Sequence, residues 1–85
     1  MNRPLVGRSI LIVEDEPLIA LDIRRSFEAA GARVVVMRTL QTALAAVEDP
    51  DLSAAILDHA LGKDDSSQLC ERLKERDIPF VTLAV

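Results

Sequence analysis

The chain has 85 residues, 49% hydrophobic and 28% charged, which is the mixture of one small globular domain and excludes a disordered or membrane-embedded chain. Its net charge of −4, with ten Lys and Arg scattered along it, excludes the clustered basic face that holds a nucleic-acid backbone. One cysteine, Cys70, leaves no internal disulfide, and the opening MNRPLVGR lacks the apolar stretch of a signal peptide, so a cytoplasmic setting without membrane contact is expected.

In chain order, SILIV (Ser9–Val13) is apolar without alternation, the pattern of a strand buried on both faces. Glu14, Asp15, Glu16 and Pro17 follow at once. A helix is predicted over 17–30, with Ile19, Ile23, Phe27 and Ala30 on one face and Gly31 ending it; Leu18 and Leu21, on its flank, either complete the core or form a partner-docking surface, and the core is the preferred reading. RVVVM (33–37) reads as a second buried strand. Thr39 then caps a second helix with Leu40, Ala43, Leu44 and Val47 on its apolar face, stopped by Pro50 in EDPD. AAILD (54–58) is the third strand. The third helix opens at DDSSQ, where Asp65 and Gln68 have capping-box spacing, buries Leu69, Cys70 and Leu73, and breaks at RDIP. PFVTLAV (79–85) is the fourth strand.

Strands joined by helical crossovers pair in parallel through right-handed connections, so β-α-β-α-β-α-β predicts an open α/β sandwich with helices on both faces, one domain over 1–85. Such sheets bind ligands outside the carboxyl ends of their strands, where the strand order reverses. The first strand runs into Glu14, Asp15 and Glu16 and the third ends on Asp58, so if these strands are neighbours the acids converge at one edge. Two carboxylates about 5 Å apart repel by roughly 3 kcal/mol at an effective dielectric of about 20. Mg²⁺ suits such a cluster, because it takes one or two carboxylates and keeps waters that a phosphate can replace. Acids ahead of Pro17 are also ordinary helix-start chemistry, facing the positive end of the dipole. Asp58 tips the balance, since an Asp closing a buried strand serves packing poorly.

ILIVEDEPLIALDI, AAILDHALG and DIPFV, each at its place in this alternation, resemble the receiver (phosphoacceptor) domain of two-component response regulators over 9–85. The resemblance implies a flavodoxin-like open parallel sheet, here truncated after the fourth strand. It implies that Asp15 touches Mg²⁺ directly and Glu14 through water, and that the backbone carbonyl of Ala60 joins Glu14, Asp15 and Asp58 in the metal site. It also implies that Asp58 accepts a phosphoryl group from the phosphohistidine of a sensor histidine kinase or phosphotransfer protein. Carboxylate attack on phosphorus needs such a metal to clamp the transferring oxygens with attacker and leaving group in line.

The departures carry weight too. The family ends its fourth strand on a Ser or Thr; Ala84 stands there, and Thr82, two residues earlier, reads as a mid-strand residue. The family's fifth strand supplies a Lys, and this sequence ends before it. Lys63, in the loop after Asp58, and Lys74, on the third helix, read as solvated charges, His59 as a solvent-facing loop residue and Cys70 as a small core hydrophobe. A fourth strand without a fifth is a bare apolar edge, which predicts a homodimer through it or the helix face beside it; the rival explanation is that the 85 residues are a fragment of a longer chain. The expected function is that of a receiver phosphorylated on Asp58, with switching weakened by the missing hydroxyl and Lys. It is not expected to be an enzyme, because the second acid that an aspartyl phosphatase uses two residues after its nucleophile is Ala60 here. The alternative is a pseudo-receiver, a protein-binding or dimerisation module that is never phosphorylated.

Overall fold

The computed structural model describes residues 3–58 and 66–83. Its elements are β1 (Ser9–Val13), α1 (Pro17–Ala29), β2 (Arg33–Met37), α2 (Leu40–Ala46), β3 (Ala54–Asp58), α3 (Ser67–Glu75) and β4 (Phe80–Leu83). All four strands pair in parallel in the order β2-β1-β3-β4. This is the flavodoxin-like arrangement, and the order reverses between β1 and β3.

Alternation along the strands divides the core into two layers. On one face Leu11, Val13, Ala55 and Leu57 pack with Ala43 and Val47 of the α2 segment and Leu69 and Leu73 of α3. On the other, Ile10, Ile12 and Ile56 pack with Ile23 and Phe27 of α1. Helices therefore cover both faces, and the two central strands are buried almost throughout. β2 corrects the sequence reading: it is partly exposed, because a strand at the edge has a neighbour on one side only, and β4, read as a bare edge, is partly exposed as well. Leu18 and Leu21 are a second correction. They are 75% and 42% exposed, since Ala20, Ile23 and Phe27 point α1 at the sheet and turn the flank carrying both leucines to solvent.

Local chemistry sets the helix ends. Pro17 opens α1, and the Glu16 carboxylate accepts from Leu18 N–H at 3.4 Å. At its end Gly31 takes φ +100, Gly31 N–H donates to Glu28 O at 2.9 Å and Ala32 N–H to Phe27 O at 3.1 Å, a Schellman closure. Thr39 caps α2 as expected, its Oγ1 accepting from Thr42 N–H at 3.1 Å. α3 ends in a second Schellman closure with Asp77 at φ 55, where Ile78 N–H reaches Leu73 O at 2.9 Å. The N-cap of α3 is Ser66, which makes no side-chain cap bond, and not the expected Asp65, which lies outside the described residues. Cys70 is partly buried against the α2–α3 core.

Two arginines of the α3 segment hold it to the end of α2. Arg72 forks onto the Glu48 carboxylate at 2.7 and 2.6 Å, and Arg76 donates to the carbonyls of Val47 and Asp49. Both partners of the fork are about half exposed, so the pair steers packing more than it stabilises.

Candidate acidic site at the carboxyl edge of the sheet

Register brings the acids together. β1 and β3 pair as Ile12↔Ile56 and Val13↔Leu57, so the next step sets Glu14 opposite Asp58, and alternation places both on the α1 face. Glu14, Asp15 and Asp58 each offer a carboxylate oxygen, and these oxygens lie within 4.8 Å of one another. Glu14 and Asp58 are buried, at 2% and 7% exposure, while Asp15 opens to solvent.

The electrostatics follow from that burial. The pKa of Glu14 rises from 4.5 to about 7; desolvation is the main cause, the neighbouring Asp58 and Asp15 add to it, and the N–H of Glu16, donated to Oε1 at 2.9 Å, opposes it. Burial and the neighbouring acids thus favour the protonated form of Glu14. A divalent cation relieves the repulsion among the acids by replacing that proton, and three carboxylates at this spacing are the hard oxygen donors Mg²⁺ takes.

Of the remaining sequence candidates, Ala60, His59, Lys63 and Ala84 lie outside the described residues. Thr82 is in β4, paired with Leu57, so alternation puts it on the opposite sheet face from Asp58; its mid-strand reading holds. Lys74 lines a surface hollow with Pro79 and Phe80, at the start of β4 and away from the edge that carries Asp58. Arg38 was not singled out from the sequence. It follows β2 as Glu14 follows β1, and its Nη2 donates to the Asp15 carbonyl at 3.4 Å. The signal was its position one residue past a strand that pairs with β1.

The family model for the response regulator receiver domain matches residues 10–85. The chain belongs to this family. Its receiver fold is similar to that of PhyR from Brucella abortus, with a TM-score of 0.79 and 33% identity over 92% of this chain and 33% of that one. It is also similar to SdrG from Pseudomonas melonis in its BeF3-activated conformation, with a TM-score of 0.73 and 44% identity over 91% of this chain and 67% of SdrG. Among curated proteins, the two-component response regulator PprB of Pseudomonas aeruginosa is 37% identical over 68 residues, 79% of this chain and 25% of PprB. The receiver sequence spans 25% to 33% of the length of the curated relatives it matches. Among the described residues no helix is long and apolar enough to cross a membrane.

Proposed function

We propose that this receiver domain accepts a phosphoryl group on Asp58 from the phosphohistidine of a sensor histidine kinase or phosphotransfer protein. A carboxylate oxygen of Asp58 attacks phosphorus, the P–N bond to the imidazole breaks, and the imidazole nitrogen keeps the electron pair and takes up a proton. The observation that carries this reading is the meeting of Glu14, Asp15 and Asp58 within 4.8 Å at the point where the strand order reverses. Glu14, Asp15, Asp58 and the Ala60 carbonyl would hold Mg²⁺, which when bound supplies charge neutralisation of the transferring oxygens. Asp15, exposed at the mouth, meets the incoming donor, and buried Glu14 sets the charge behind it. The protein is modified once per transfer and does not turn substrate over as an enzyme does.

The exposed Leu18 and Leu21 of α1, with Asp22 and Arg25 beside them, line a shallow surface next to the acidic edge and give the donor protein an apolar foothold. A second copy is the other partner proposed. β4 pairs with β3 on one side, Val81 is 56% exposed, and an apolar hollow lined by Phe27, Ile56, Phe80 and Val81 flanks it.

A specific observation favours the pseudo-receiver as second reading: the one described β4 hydroxyl, that of Thr82, stands on the wrong face to meet a phosphoryl group on Asp58. The two readings separate on intact mass after incubation with Mg²⁺ and acetyl phosphate. Phosphoryl addition to the wild type and none to Asp58→Asn supports the receiver reading; no addition to either, with Mg²⁺ still bound, establishes the pseudo-receiver.

A further inference from the structure

The charged row at the end of the sheet does not stop at Glu14. β2 pairs with β1 as Val36↔Ile12 and Met37↔Val13, and Glu14 N–H donates to Met37 O at 3.0 Å. Arg38, the next residue, therefore stands on one side of Glu14 as Asp58 stands on the other. Alternation puts it on the α1 face with them, as Val34 and Val36 pack there with Ile10 and Ile12, and Arg38 lines the same hollow as Glu14. Arg24 lines this hollow too, but its Nε donates to Glu28 at 3.2 Å. The long, exposed bond from Arg38 to the Asp15 carbonyl holds the guanidinium at the rim of the hollow that Glu14 also lines.

We propose that Arg38 is a fixed cation beside the acidic pocket, lowering its affinity for Mg²⁺ while raising its attraction for a doubly negative phosphoryl donor. This rests on the reading of Glu14, Asp15 and Asp58 as the metal and phosphoryl site. Two strand spacings separate the backbones of Arg38 and Asp58 by about 10 Å, within the range of a single charge at low salt. At a separation on the order of 9 Å and a dielectric of about 80, one charge shifts the binding of a divalent ion by roughly fivefold, and salt at about 0.1 M screens most of that. The same charge draws in a dianionic donor by a similar factor. One side chain thus pushes two ligands in opposite directions, which a loss of shape at the site does not do.

The test compares wild type, Arg38→Gln and Arg38→Lys by calorimetric Mg²⁺ binding and by the rate of phosphoryl uptake from acetyl phosphate at saturating Mg²⁺, each at low and raised salt. Arg38→Gln should bind Mg²⁺ roughly fivefold tighter and take up phosphate roughly fivefold more slowly, with both differences shrinking as salt is added. Arg38→Lys, which keeps the charge, should stay near wild type in both. If Arg38→Gln binds Mg²⁺ no tighter than wild type, the proposal is overturned whatever the uptake rate. Failure of wild type to bind Mg²⁺ at all overturns the metal-site reading and the role of Arg38 together. Should wild type bind Mg²⁺ but accept no phosphate, the phosphoacceptor reading alone falls, and the Mg²⁺ comparison still decides for or against Arg38.

Discussion

Glu14 is buried against Asp58, and its pKa near 7 in the folded protein stands against 4.5 for a free side chain. Between those values the folded state binds more protons than the unfolded one. The stability contributed by neutral Glu14 is therefore complete below about pH 4.5 and is lost as pH rises through about 7. We expect Glu14→Gln, which cannot ionise, to gain on the metal-free wild type as pH is raised from about 5 to about 8, read from urea midpoints in a chelator. The same variant should bind Mg²⁺ more weakly, since it gives up a charged oxygen. Saturating Mg²⁺ should flatten the wild-type dependence by favouring ionised Glu14. A stability difference between the two proteins that does not change with pH would contradict this account of the pocket.

At the scale of the helices, the ends are set by backbone geometry and the faces by what covers them. Gly31 takes φ +100 with Val6 and Arg3 against it, and a Cβ there would sit 2.7 Å from Val6 Cγ2 and 3.1 Å from Val6 N. Gly31→Ala should therefore cost more than the roughly 1–2 kcal/mol of left-handed backbone strain alone, seen as a lowered thermal midpoint. Leu18 lies on the exposed side of the same helix, so Leu18→Ser should leave stability within about 0.5 kcal/mol of wild type. It should nevertheless slow phosphoryl transfer from a histidine-bearing protein while sparing uptake from acetyl phosphate. An equal loss with both donors would place Leu18 in the fold and remove it from the docking surface. The exposure of Leu18 and Leu21 was hidden in the sequence because an apolar flank reads alike whether it faces a core or a partner. The left-handed Asp77 that closes α3 was hidden too, for Asp in RDIP carries no mark of a positive φ.

For the molecule as a whole, the alternation of strands and helices was legible because the apolar runs are short, β-rich and separated by strong caps such as Thr39 and stops such as Gly31. Central position was not legible. SILIV and RVVVM look equally apolar, yet only the first is buried throughout, since burial on both faces depends on neighbours that local sequence does not name. The acidic pocket was legible in its members and not in its surroundings. Glu14, Asp15 and Asp58 stand out as acids ending apolar runs, whereas Arg38 joins them only through the β1–β2 register. The edge of β4 makes its own prediction: wild type should sediment as a dimer at micromolar concentration and Val81→Lys as a monomer, and a wild-type monomer would dismiss that interface.

Convergence of the two central strand ends into one cation-binding pocket is the claim on which the functional reading stands. Titration of the isotope-labelled protein with Mg²⁺, followed by amide chemical shifts, tests it directly. The account predicts that Glu14, Asp15, Glu16 and Asp58 shift together along one saturable curve that Asp58→Asn weakens. Shifts that are absent, unsaturable or confined to the β1–α1 turn while Asp58 stays still would contradict it.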